Sequence, residues 1–328
     1  MTEHAYRQLK PDLQSLRHPG EQLVGIALGI FCVLLWGLLA SPITLVGFSG
    51  WLGFLVALLI VGLIFVVIEQ LLRVQLYGNM MLLSTEQHPE LAAIVLTQSQ
   101  QLGLVQPPAV FLVNSHGLMN ALALATLSRR AVILNSALVD FYLEQDQPDQ
   151  LKAVVARELA HHALGHTKNW WNILIAVSNP LFLLMMTYLV MVFGVTLLAG
   201  AFVVDRDAGA GLFLAGLGLV SFPLVGFVVF LIRQAYRRIC ELSCDRVAAD
   251  LIQDDLAAGC TARALLGLVA GSTVLAPTNQ LSPFVTQQYF ANPFFTWVTE
   301  LLSEYPLMTK RLSQLQEFLR HPAAPLTT

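Results

Sequence analysis

Four long stretches without a charged residue decide what this chain can become. They cover residues 23–40, 43–68, 173–204 and 208–232. A helix of about 20 apolar residues spans the ~30 Å hydrocarbon core of a bilayer. The composition agrees: 56% of the chain is hydrophobic and 12% charged, too apolar for an ordinary soluble domain. Ser41-Pro42 separates the first two runs and Asp205-Arg206-Asp207 the last two. Asn179-Pro180 interrupts the third, and Pro223 predicts a kink in the fourth. The early part of the fourth run is rich in glycine, which lets helices approach closely in lipid. The expectation is two transmembrane hairpins, four helices in all.

Basic residues orient them. Arg7, Lys10 and Arg17 precede the first run, Arg73 follows the second, and Arg233, Arg237 and Arg238 follow the fourth. The link between the first two runs has no Lys or Arg. By the positive-inside rule the N-terminus and the polar segments face the cytoplasm. With no cleavable signal peptide or organelle-targeting signal in view, a bacterial inner membrane is the simplest home. The division expected is an arm at 1–21, a hairpin at 22–71, a polar segment at 72–168, a second hairpin at 169–233, a second polar segment at 234–320 and a tail at 321–328. The net charge of −3 gives no basis for a nucleic-acid partner. The scattered Cys32, Cys240, Cys244 and Cys260 do not make a disulfide framework. The apolar runs carry no buried charge of the sort that marks a transport path, which argues against a small-molecule transporter.

The polar segments hold the chemistry. ELAAIVLTQSQQLGL after Pro89 reads as a helix stopped by Pro107-Pro108, and AVFLV (109–113) and AVIL (131–134) as short strands of a small hairpin or sheet. Asn114-Ser115-His116-Gly117 between them is a turn. Next comes KAVVARELAHHALGH (152–166), an amphipathic run without Pro and without Gly until Gly165. Asp146 and Asp149 near its start suit the helix dipole. At 100° per residue, positions 157 and 161 share a face and 158 lies beside them. That placement suits the H-E-x-x-H pattern, in which two histidines hold zinc and the glutamate activates its water. Here Arg157 stands where the first histidine would be, leaving Glu158 and His161, with His162 and His166 on a neighbouring stripe. After the fourth apolar run, Glu241 and Asp245 lie four residues apart on a predicted helix. One could ligate a metal and the other orient it; equally, both could pair with Arg237, Arg238 or Arg246. His4, His18, His88, His116 and His321 read as surface residues and Trp170-Trp171 as an interfacial belt; Cys240 and Cys244, four residues apart, read as small packing residues, with a soft metal as the alternative.

In this order the pieces resemble the membrane-integrated zinc metallopeptidases of the HtpX-like and CaaX-prenyl-protease-like kind. Asn120-Ala121 is similar to their N-A segment, 149–166 to their motif helix with its L-G-H end, and Glu241 with Asp245 to their E-x-x-x-D element, with Cys244 where alanine is usual. Tyr305-Pro306 through Arg311 resembles a late H-P…R element with tyrosine for histidine. The resemblance implies a four-helix membrane protein carrying a cytoplasmic α+β, gluzincin-type peptidase domain. It implies one zinc ion held by His161 and Glu241, Glu158 as general base, and a peptide or protein substrate bound as an extended strand near Asn120 and Ala121.

Arg157 departs from that pattern. A guanidinium has no lone pair for a metal and keeps its charge, whereas a catalytic zinc takes three protein ligands and one open position. Three readings stand open on sequence alone. The chain is a zinc endopeptidase in which His162 or His166 replaces the missing ligand, a peptidase-like protein that binds peptides without cutting them, or a variant one His-to-Arg change from an active parent.

Overall fold

The computed structural model describes residues 13–40, 56, 80–114, 121–125, 130–144, 148–167, 178, 180–204, 206–252, 297, 300–303, 306, 310, 311, 314 and 317. In chain order the elements are α1 (Leu13–Leu16), α2 (Glu21–Ala40), β1 (Met80–Leu82), α3 (Pro89–Gln101), β2 (Ala109–Val113), β3 (Ala121–Ala125), β4 (Arg130–Asn135), α4 (Ser136–Glu144), α5 (Pro148–Ala163), α6 (Pro180–Ala201), α7 (Arg206–Val220) and α8 (Phe222–Leu251). Two compact units result. The first gathers Met1–Glu21, Asn79–Trp171 and Arg237–Thr328; the second holds Gln22–Gly78 and Asn172–Tyr236.

The first unit is built on a four-stranded sheet of order β1-β2-β4-β3. The two strands expected as a small hairpin or sheet are neighbours in the sheet and run parallel, Ala109 opposite Ala131 through Val113 opposite Asn135. Parallel strands need a crossover rather than a tight turn. The intervening chain supplies β3, which pairs antiparallel with β4 from Ala121–Leu134 to Ala125–Arg130 and forms the sheet edge. Its sequence, ALALA, lacks the β-branched residues that make a strand legible. Val132, Ile133 and Leu134 on β4 are all buried, as a central strand covered on both faces requires.

Leu91, Val95 and Leu102 near α3, Leu138 and Tyr142 of α4, and Leu151, Val155 and Leu159 of α5 close over the sheet in one core. Leu16 of the N-terminal arm and Val247 of α8 belong to the same core. Gln98 ties α3 to α5 by donating to the Lys152 carbonyl at 2.9 Å. The stop of α3 comes ahead of Pro107-Pro108: Gly103, at φ 67°, turns the chain, and Leu104 N–H closes onto Ser99 O at 2.9 Å. The positive φ, which glycine takes without strain, ends the helix before proline is needed.

The second unit contains the apolar helices. Among the described residues one helical run, Gly209–Leu251, is long and apolar enough to cross a membrane, and shorter apolar stretches lie at Glu21–Leu35 and Met186–Ala201. The run at 43–68 lies outside the described residues, as do 168–177 with Trp170-Trp171. The fourth run is interrupted at one residue beside Pro223, and the bonds from Ser221 N–H to Leu217 O at 3.1 Å and from Val225 N–H to Ser221 O at 3.3 Å carry across it. α7 ends at Val220, Ser221 forms a turn with its hydroxyl on Gly218 O at 2.6 Å, and α8 restarts at Phe222. Pro223 then sits in a first turn, where its missing N–H has no intrahelical partner to lose. Leu184, Tyr188, Leu214, Leu224 and Phe227 point outward from α6, α7 and α8. Inside, α6 and α7 approach closely: a Cβ on Gly216 would lie 2.7 Å from Leu198 Cγ and 2.9 Å from Gly194 O.

That contact sets a test. Gly216→Val should lower the apparent Tm of the detergent-solubilised protein, by an amount equivalent to roughly 1–3 kcal/mol for overpacking. Gly226→Ala on α8, where a Cβ meets nothing within 4 Å, should leave it unchanged or raise it, since alanine is the better helix former.

Candidate functional site

The site grows from two helices of the first unit. Pro148 opens α5, and Gly165, at φ 82°, closes it. Two hydrogen bonds complete that end: His166 N–H to His161 O at 2.9 Å, and Gly165 N–H to His162 O at 3.3 Å. This is the paired closure by which a left-handed glycine satisfies the last carbonyls of a helix. It folds His166 back toward His161, so that their Nδ1 atoms lie 3.1 Å apart. The lower part of α8 runs alongside and supplies Glu241, Cys244 and Asp245, all buried.

Arg157 lies among carboxylates. Its guanidinium donates to Glu158 Oε1 at 3.1 Å and to Glu241 Oε2 in a short contact, and its Nε is 3.3 Å from Asp245 Oδ1. Asp245 in turn takes two 2.7 Å hydrogen bonds from Arg311, whose side chain is 1% exposed. Burial disfavours the Arg157 cation, but Glu241, Glu158 and Asp245 outweigh it and hold the group charged. Glu241 shows the counterpart: burial opposes its ionisation, yet Arg157 and then His161 keep its carboxyl well below the usual range. The α8 pair thus faces Arg157 and Arg311, which come from elsewhere in the chain.

The histidines part company. His161 turns Nε2 toward Glu241 Oε1, 3.7 Å away. Burial lowers its basicity, but Glu241 and Glu158 more than restore it. His162 faces the sheet: Nε2 meets Ala131 O at 3.1 Å and Nδ1 meets the Thr167 hydroxyl at 2.9 Å. Both ring nitrogens are engaged, and burial brings its pKa down to about 4. It locks α5 to β4 as a neutral ring, away from the carboxylates. His166 sets Nε2 against Glu21 Oε1 at 3.1 Å and Nδ1 near both His161 Nδ1 and Cys244 Sγ, the latter at 3.6 Å.

Ala121 opens the edge strand β3, opposite Leu134; Asn120 and His116 lie outside the described residues, as do His4 and His321. His18 and His88 are half-buried rather than superficial. The N-terminal arm contributes what the sequence did not announce. Glu21, 2% exposed, accepts from Arg17 at 3.0 Å and from Ser243 at 2.5 Å, besides His166. Arg17 also donates to Leu164 O at the end of α5, and His18 N–H to Ser243 Oγ at 3.0 Å. The available signal was a single acid set directly before an apolar run.

Removing the guanidinium should strand two buried carboxylates. Arg157→Met is expected to cost about 3–5 kcal/mol, the usual penalty for leaving one partner of a buried pair, read as a fall in apparent Tm. Adding Glu241→Gln should recover part of it. Acid should act through His162, whose depressed folded pKa means that the unfolded chain takes up the proton first. Its contribution is full above pH 6.5 and is lost progressively down to about 4. The apparent Tm should fall across that window, and His162→Gln should flatten that part of the profile.

A model of peptidase family M48 matches residues 85–319. No curated protein and no solved structure matches the chain. The matched span takes in the sheet edge, the motif helix, the carboxylates of α8 and Arg311, and covers more than two thirds of the sequence: the chain belongs to peptidase family M48.

Proposed function

We propose that this chain is a membrane-bound, HtpX-like pseudo-peptidase, which keeps the peptide-binding side of an M48 protease and holds a guanidinium where the catalytic metal would be. The observation that carries this reading is the contact of Arg157 with both Glu158 and Glu241. The residues of that position do not fit the family's zinc ion. The first ligand is replaced by a group without a lone pair. The carboxylate expected to ligate and the one expected to act as base are both bound to the same cation. With Arg157 bound to Glu158 Oε1 and no first histidine to hold an ion beside it, no hydrolytic step is assigned to Glu158.

The peptide is bound by the edge strand. Among the described residues β3 is the last strand of the sheet, beside β4. An edge strand presents unpaired N–H and C=O groups, and an extended peptide adds to such an edge through its main chain. The four apolar runs anchor the protein in the bilayer with the binding side in the cytoplasm, and the ligand is an extended segment of a membrane or misfolded protein.

The test compares detergent-purified native protein with Arg157→His in a casein-cleavage assay with zinc supplied. The native chain should be inactive, the variant should cleave, and Arg157→His combined with Glu158→Gln should be inactive again. Cleavage by the native chain that disappears on Glu158→Gln would overturn the pseudo-peptidase reading and restore the enzyme reading.

A further inference from the structure

We infer that the chain carries a second metal position, formed by His161 Nδ1, His166 Nδ1 and Cys244 Sγ, suited to a borderline-soft divalent ion such as Zn2+. It differs in donor atoms from the family position, which would use His161 through Nε2 together with Glu241. The three donors lie within 4.8 Å of one another. The two spacings that meet at His166 fit the ion. Metal–nitrogen bonds of about 2.0–2.1 Å and a metal–sulfur bond of about 2.3 Å in a tetrahedron set two nitrogens roughly 3.3 Å apart, and nitrogen and sulfur roughly 3.6 Å apart. The two Nδ1 atoms are 3.1 Å apart, and Cys244 Sγ is 3.6 Å from His166 Nδ1. A set of two imidazoles and a thiolate is a combination that zinc accepts and that hard cations do not.

The surroundings complete the argument. A metal-bound histidine usually presents its other nitrogen to a carboxylate, which fixes the tautomer. Both rings are so placed: His166 Nε2 is 3.1 Å from Glu21 Oε1, and His161 Nε2 is 3.7 Å from Glu241 Oε1. The 3.1 Å contact keeps the His166 proton on Nε2; at His161 the Glu241 charge favours a proton on Nε2, and a proton on Nδ1 leaves for solvent as the ion takes that lone pair. Cys244 binds as thiolate, so one proton leaves the thiol for solvent as the ion enters. Arg157 is bound to Glu241, the carboxylate that faces His161 Nε2, and its charge, which also reaches Cys244, favours the thiolate over the thiol. The neighbouring group of Glu21, His166 and Cys240 is also compact, but Glu21 is already committed to Arg17, His166 and Ser243. It reads as support for His166 rather than as a site. Metal here would fasten the end of α5 to α8.

Cobalt distinguishes this site from any occupancy of the family position. The full-length protein, stripped with chelator under reducing conditions, is titrated with Co2+. One ion per chain is expected, with thiolate-to-cobalt charge-transfer absorption in the near ultraviolet that zinc abolishes. Cys244→Ser should lose the band, and His166→Gln should weaken binding at least tenfold. Cys240→Ser and Glu158→Gln should keep the band. X-ray absorption of the zinc-loaded native protein provides a reading free of mutational damage, with one sulfur and at least two nitrogens in the shell. Binding without a thiolate band, a band that survives Cys244→Ser, a sulfur-free shell, or no binding at all would each overturn the assignment. None of these outcomes bears on whether Arg157→His cleaves casein.

Discussion

The first unit depends on a buried cation being matched. Arg157 touches Glu158, Glu241 and Asp245, and Asp245 is shared with Arg311. Two guanidiniums thereby face three carboxylates within the core of the unit. Each charge is costly to bury alone, and the group is tolerable only as a whole. That requirement fixes the register of α5 against α8 more tightly than apolar packing could, because sliding either helix by one turn would leave ions without partners. In a metallopeptidase a divalent ion would supply such a fixed positive charge; here the positive charge is covalently part of α5.

Much of the fold could be read from residue order. The motif helix, its glycine stop and the carboxylate pair on a later helix are patterns of spacing, and spacing survives in a single sequence. Glu241 and Asp245 could be placed on one helix face from their separation of four. What they face could not, since Arg157 and Arg311 come from 84 and 66 residues away. β3 escaped for a different reason: alanine and leucine carry no strand signature, and only pairing with β4 makes ALALA a strand. The parallel course of β2 and β4 was equally hidden, because direction is a property of the connection and not of either strand.

The histidine roles illustrate the same divide. Spacing alone made His162 and His166 equal alternatives. The turn at Gly165 separates them, sending His166 back along α5 while His162 goes to the sheet and binds Ala131 O and Thr167. A single backbone dihedral thus decides which ring belongs to the polar cluster.

The N-terminal arm has a consequence for how the protein is made. Arg17 reaches Leu164 across 147 residues, and Glu21 reaches Ser243 across 222. Contacts of such separation are slow to form, because the loop must close before they contribute. During synthesis Arg17 and Glu21 leave the ribosome long before Leu164 and Ser243 do. Neither contact can form until α5 and α8 have followed. The order of the chain therefore makes this seam of the unit wait on segments made much later.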